Sequence, residues 1–344
     1  MTDPAIAKQL VEAIIADTPD HAEGTRPIHT VGIGVEGHFQ ALNVAANYCT
    51  AEHFRGHKVP VSVRFSNGSG SPVERDGVSD VRGMATRFHL ADGQATDLLA
   101  MTLGEFFVPD IPSFLEFTTA ALPKPAKRET PWAKLKDMLQ LKLPLPDPMP
   151  WEDATNTEGL IDYANRHGFA QLSVTQVGTI GAPVSYARAA YHAVNTFIVT
   201  DPNGKKRYVR FNWQPVAGVL NRDSTAPIVN QYLHQEMRDR LAHWPARFIL
   251  DMVIAEAWDD VADPTKPWPN RRTKISMGSL TLTKVAEDQK EAAEKIAFNP
   301  CRLVPGIEMS EDPILQARKE AYEYSRKLRG GTGCPFFGGS ADAT

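Results

Sequence analysis

Two side chains near the end of this sequence have the types and spacing to hold a metal ion. Arg318 and Tyr322 stand four residues apart in PILQARKEAYEYSRKLRGG. On a helix that spacing puts both on one face. A guanidinium held beside a phenol favours the phenolate, and phenolate oxygen is a hard ligand suited to a ferric ion. The alternative is an ordinary amphipathic helix in which a tyrosine touches an arginine stem. Tyr324 is a rival phenol, but at six residues from Arg318 it faces elsewhere. A second chemical group lies far upstream, in RPIHTVGIGVEGHF, where alternation places His29 with Val31, Ile33, Val35 and Phe39 on the apolar face of a strand. Such a histidine is either a hydrogen-bonded structural residue or a base shielded from water. Arg26 and Arg64, among apolar strand residues, ask for anionic partners. Cys334, in GTGCPFF with no cation beside it, reads as a free tail cysteine and not as a thiolate ligand.

Each group needs an element to position it. A helix over 310–329 carries the Arg–Tyr pair. Ser310 suits its N-cap, Glu311 and Asp312 put negative charge at its positive end, and Pro313 fits the first turn. Arg326, Lys327 and Arg329 fill its last turn, and Gly330-Gly331 supply a left-handed cap. Ile6, Leu10, Val11, Ile14 and Ile15 form a helical stripe over 4–16. Strand patterns run through 29–39, 59–66, 81–90 and 96–101, and through a hairpin, 194–200 and 206–214, around Asp201-Pro202-Asn203-Gly204. RFILDMVIAEAW and KISMGSLTLTKV supply two more, the second slipping phase at Gly278-Ser279 as a bulge would. From about 115 to 190, helical pieces and proline-rich connections make an excursion from the sheet. Eight mostly sequential strands without βα alternation predict an α+β chain: an eight-stranded antiparallel β-barrel with accessory helices, one domain over 1–344.

Composition narrows the classes. An apolar share of 42% with 23% charged residues is that of an ordinary globular protein. A net charge of −4 without a basic run excludes a nucleic-acid-binding surface, and no apolar run is long enough for a membrane span. The N-terminus has acidic residues ahead of its apolar segment and reads as a helix, not a signal peptide. Cys49, Cys301 and Cys334, without metal-knuckle spacing, suit a reducing compartment, and a cytoplasmic location is expected.

Several ordered motifs resemble the haem catalases. FNPCRLVPGIEMSEDPILQARKEAYEY is similar to their proximal helix, and RPIHTVGIGVEGHF to their distal segment. PVSVRFSNGSG, VRGMATRF, FFVPDIPSFLEF and DPTKPWPN match further family segments in order. The resemblance implies haem b, with Tyr322 as axial ligand backed by Arg318, and Arg26, Arg64 and Arg329 as propionate partners. It implies His29 as distal base with Ser66 beside it, and Phe114 stacked on the porphyrin. One departure stands out. Where catalases carry an asparagine that hydrogen-bonds peroxide, DLLAMT offers Met101 or Thr102, so a Thr102 hydroxyl would replace that amide only in part.

The sequence also ends soon after the proximal helix and lacks the long N-terminal arm, which points to the short catalase-related peroxidases. The expected activity is reduction of hydrogen peroxide or organic hydroperoxides by a small-molecule electron donor, with weak catalase activity. The expected assembly is a monomer or homodimer. Two other readings stay open: haem-dependent rearrangement of lipid hydroperoxides, and a barrel that binds haem or an apolar ligand without turnover.

Overall fold

The structure, a computed structural model, describes residues 4–16, 18, 21–72, 76–148, 154–223 and 230–330. Cys334 and Gly331 lie outside them.

Helix α1, Pro4–Ala16, precedes strands β1 (Gly32–Ala41), β2 (Lys58–Asn67), β3 (Arg82–His89) and β4 (Ala95–Met101). Helices α2 (Ile111–Ala120), α3 (Pro131–Leu139), α4 (Thr157–Arg166) and α5 (Gln171–Thr179) form the excursion, which begins a few residues earlier than its composition suggests. Strands β5 (Tyr191–Thr200) and β6 (Lys206–Pro215) make the expected hairpin. Helix α6 (Tyr232–His243), β7 (Ala246–Ile254), β8 (Lys274–Val285), a π-helical turn (Lys290–Lys295), short β9 (Ile307–Met309) and α7 (Pro313–Leu328) complete the chain.

The strands pair in the order β5-β4-β3-β2-β1-β8-β7-β6, and β6 returns to β5, so the barrel closes; β9 adds to β5 from outside. Closure removes the free edges that an open sheet would expose. Alternation fills the interior: Val59, Val61, Val63 and Phe65 of β2 are buried there with Ile33, Phe39, Phe88, Trp213, Phe248 and Leu280. Phe39 and Phe88 meet edge to face with centroids 5.2 Å apart, a favoured aromatic geometry. The β7–β8 register shifts between Ser276 and Gly278, one residue before the predicted slip. Gly278 is required there, since a Cβ would lie 2.3 Å from the Phe39 ring.

Two boundaries correct the sequence reading. The N-cap of α7 is Asp312, whose carboxylate accepts from the amides of Ile314 and Leu315; Ser310 only supports it, its Oγ accepting from the Asp312 amide. Gly330, at φ +73, does terminate the helix in the left-handed region. The other correction concerns His29, which precedes β1 instead of lying within it.

Cys49 and Cys301 are free thiols pushed up to about 11 by burial. No described helix is long and apolar enough to cross a membrane.

A second histidine ties the core to pH. His53 is buried against Phe54 and Phe88, with centroids at 4.1 and 4.7 Å. Burial, helped by His57, pushes its imidazole down from 6.5 to about 3. The unfolded chain therefore binds a proton between those values that the folded chain refuses. Stability from this group is complete above about 6.5 and is lost as pH falls toward 3. His53→Phe should shrink the difference in unfolding free energy between pH 7 and pH 5 by about 2 kcal/mol. Denaturant titrations at the two pH values measure it; an unchanged difference would assign the acid sensitivity elsewhere.

Candidate functional site

The same alternation that fills the barrel turns a second set of side chains outward. Arg64 and Ser66 of β2, Gly83 and Ala85 of β3, Leu99 and Met101 of β4, and His192 and Val194 of β5 line a cavity of about 280 Å³ outside the barrel wall. Helix α7 brings Ile314, Ala317, Arg318, Ala321, Tyr322 and Arg329 to it. Helix α1 adds Leu10, Val11 and Ile14, while Phe106, Phe107, Ile111 and Phe114 approach from the start of the excursion.

On the α7 side, Arg318 donates from Nη2 to the Tyr322 hydroxyl oxygen at 3.0 Å. Its Nη1 donates to Asn195 Oδ1 at 2.5 Å, and Asn195 Nδ2 donates to Asp312 Oδ2 at 2.6 Å. A relay thus runs from the helix cap to the phenol. The backbone explains how Asn195 reaches it. The β5–β6 register shifts between Ala193 and Phe197, and a bulge of this kind re-aims the side chains it contains. Tyr324 instead donates to Glu12 of α1 at 2.9 Å and does not line the cavity.

On the barrel side stands His29, with φ +59, a left-handed conformation uncommon for a residue with a Cβ. That turn is why the alternation argument fails: the ring does not enter the barrel with Ile33 and Val35 but lies on the outer face. The turn is clamped, His29 N donating to Gly68 O at 3.3 Å and Arg64 Nη2 to the carbonyls of His29 and Thr30 at 2.8 and 3.0 Å. The ring's Nδ1 lies 2.7 Å from Asn67 O and 3.1 Å from Ser66 Oγ. A carbonyl only accepts, so Nδ1 carries the proton and Nε2 keeps its lone pair. Burial pushes the imidazole down from 6.5 to about 4, against the Asn67 hydrogen bond and with help from Arg64. Neutral imidazole is the form at neutral pH. Gly83 makes room for it, since a Cβ there would sit 2.7 Å from Ser66 Oγ and 3.1 Å from the His29 ring. Asn67 is fixed in turn by its amide on Asp76 at 2.8 Å and by the Tyr186 hydroxyl at 2.9 Å.

Three guanidinium groups meet at one end. Arg26 donates to Ile296 O at 2.5 Å, Arg64 to Ala293 O at 2.7 Å and Arg329 to Glu294 O at 2.7 Å, all on or just past the π-helical turn. None has a carboxylate within 4.0 Å among the described residues. Arg26 Nε is buried without a hydrogen-bond partner. Burial holds Arg64 down to about 10 and lowers Arg26 and Arg329 as well, with Glu294 opposing. Buried cations left without anions are costly. The cluster fits a ligand that brings carboxylates.

Phe114 is at the cavity wall, edge-on to Phe106 and Phe107. Thr102 is not among the lining residues. Leu99, Ala100 and Met101 line the cavity, whereas the Thr102 Oγ1 accepts from Arg82 N at 3.0 Å. Met101, a weak acceptor without a donor, lines the cavity instead. Sequence reasoning missed Asn195, Asn67, His192 and the α1 residues. Of these only the α1 stripe carried a signal, its unassigned apolar face.

Comparison with known proteins shows what the chain is similar to. The family model described as Catalase matches residues 20–143 and 147–335. A catalase-related peroxidase of Mycolicibacterium paratuberculosis is 32% identical over 326 residues, covering 94% of each chain. One from Synechococcus elongatus is 26% identical over 312 residues, covering 89% of this chain and 84% of its own. Catalase-2 of Bacillus subtilis is 30% identical over 323 residues, covering 88% of this chain but 43% of that longer protein.

Proposed function

We infer that this chain, which belongs to the catalase family, is a haem b peroxidase that reduces hydrogen peroxide or organic hydroperoxides with a small organic donor. The observation that carries this reading is one cavity lined by a neutral histidine, a phenol hydrogen-bonded by a guanidinium, and three arginines without carboxylates. Haem fits that set: Arg26, Arg64 and Arg329 would take its propionates, Tyr322 its iron, and Phe114 would stack on the porphyrin. When bound, haem supplies the iron redox chemistry that breaks the O–O bond.

The chain's own residues handle protons and access. Nε2 of His29, left with its lone pair, would take a proton from a hydroperoxide and return it to the oxygen that departs. Ser66 and the Asn67 carbonyl keep Nδ1 protonated and the ring in place. Arg318, held by Asn195 and Asp312, complements a phenolate at Tyr322. Met101 supplies no donor amide for a second hydrogen peroxide, and Leu10, Val11 and Ile14 make the wall apolar. Both features favour organic hydroperoxides and an organic reductant over rapid disproportionation.

The test is steady-state turnover of the haem-loaded protein with cumene hydroperoxide and a phenolic donor, beside oxygen release from hydrogen peroxide. Donor oxidation outpacing oxygen release is expected. An isomerised fatty-acid hydroperoxide formed without any reductant would replace this reading by rearrangement, and no reaction with any hydroperoxide would leave a binding barrel.

The arginine cluster gives a further expected result. Arg64→Leu, Arg26→Leu and Arg329→Leu should each weaken haem retention about 10- to 100-fold, because a buried carboxylate loses its partner. Competition for haem with apomyoglobin measures this. Three variants that retain haem like the parent would show that the propionates lie elsewhere.

A further inference from the structure

Helix α3 is amphipathic with its sides reversed. Ala133, Lys134 and Asp137 are half-buried against the protein, while Trp132, Leu135, Met138 and Leu139 face solvent. At 3.6 residues per turn those four share one side, and Trp132 and Leu139 are 79% and 77% exposed. The stripe runs on into Leu141, 87% exposed and held at φ +58, where a glycine would be unstrained. This helix end is closed by hydrogen bonds from Leu141 N to Met138 O and from Lys142 N to Asp137 O, at 3.1 and 2.9 Å.

The segment is nevertheless fixed. Thr130 caps it through Ala133 N, Lys134 pairs with Asp147 at 2.8 Å, and Asn165 of α4 bonds both backbone groups of Leu143 at 2.7 and 3.0 Å. The fold therefore holds an apolar stripe outward. Contiguous exposed apolar surface of this kind marks an interaction site.

Charge identifies the partner. Residues 124–142 carry six cations against Glu129 and Asp137, in a chain whose net charge is −4; Lys127 pairs with Glu158 and Lys134 with Asp147, which leaves Lys124, Arg128, Lys136 and Lys142 as the exposed cations beside the stripe. Lys136 flanks the stripe and Lys142 follows it, both exposed, so that their stems can run along acyl chains while the ammonium groups reach headgroups. An apolar face rimmed by lysines is the pattern of a helix lying in a bilayer interface. A second copy of the same face would set lysine against lysine.

We propose that α3 docks this protein on the surface of anionic lipid bilayers, with Trp132, Leu135, Met138, Leu139 and Leu141 entering the acyl boundary. Docking would bring the enzyme to the place where acyl hydroperoxides form. The proposal is independent of the haem reading, because its test reads lipid binding and not turnover.

The full-length protein is sedimented with vesicles of phosphatidylcholine alone or mixed with phosphatidylglycerol. At least about tenfold more binding is expected to the anionic vesicles, weakening as salt is raised. Trp132→Ser/Leu135→Ser/Leu139→Ser, all at exposed positions, should lose about tenfold while keeping the parent's circular dichroism. Lys136→Glu should weaken binding to the anionic vesicles alone. No binding to anionic vesicles, or equal binding by the triple variant, overturns the proposal. So does a parent dimer that the triple variant disperses in the absence of vesicle binding, which would make a second copy the occupant.

Discussion

His29→Ala should slow the first reaction with a hydroperoxide about a hundred- to ten-thousand-fold, the usual contribution of a positioned acid–base group. Haem content per chain should stay near that of the parent. The two outcomes separate because the ring's only hydrogen bonds among the described residues are made by Nδ1, to Asn67 and Ser66. Nε2 has no hydrogen-bond partner among the described residues. Burial pushes the imidazole to about 4, so the base is neutral and active down to that region. The acid limb of the parent's first-step rate should accordingly fall near 4, well below the 6.5 of an exposed histidine. Stopped-flow measurement across pH tests both statements. A variant that reacts as fast as its parent would reduce His29 to a structural residue in a left-handed turn. One that fails to load haem would make the ring part of the binding site. Ser66→Ala offers a graded control. It removes the 3.1 Å contact but leaves the Asn67 carbonyl, so its loss should be much smaller.

What could be read beforehand divides along physical lines. Helical periodicity is local, so the spacing of Arg318 and Tyr322 placed their side chains correctly before any fold was known. Strand alternation is also local, and the pattern predicted over 59–66 is seen in the barrel, with Val59, Val61, Val63 and Phe65 inside and Arg64 and Ser66 lining the cavity. It failed where the backbone leaves the strand. His29 sits in a left-handed turn that only the clamp from Arg64 and Gly68 makes tolerable, and those partners are 35 or more residues away in sequence. Asn195 was illegible for a related reason, since its bulge arises from the mismatch between β5 and β6 and not from either strand alone. Ser310 and Asp312 are both good caps, and the choice between them is made by the buried amide of Asn195. Thr102 was attractive for its hydroxyl, which accepts from the Arg82 amide, while Met101 beside it lines the cavity.

Tyr322→Phe should abolish stable haem binding or, where haem is retained, remove the charge-transfer absorption of a ferric phenolate. The substitution keeps the ring and deletes the oxygen, so the packing of α7 is preserved. Its Arg318 partner would lose one acceptor at 3.0 Å and retain Asn195 at 2.5 Å. The relay behind the phenol should matter in proportion to its distance. Asn195→Leu breaks two hydrogen bonds at once, leaving Arg318 Nη1 unpaired and Asp312 without its 2.6 Å donor. Partners one shell away from a metal ligand typically contribute 10- to 100-fold in affinity or activity, and that is the loss expected of Asn195→Leu. The Asp312 carboxyl, already raised by burial, should move further up without that amide, so this variant should also be less stable at neutral pH. Haem stoichiometry and the visible spectrum, recorded on both variants beside the parent, decide the matter. An unchanged spectrum in Tyr322→Phe would move the ligand off α7, and the relay through Asn195 would then be a device for capping the helix and nothing more.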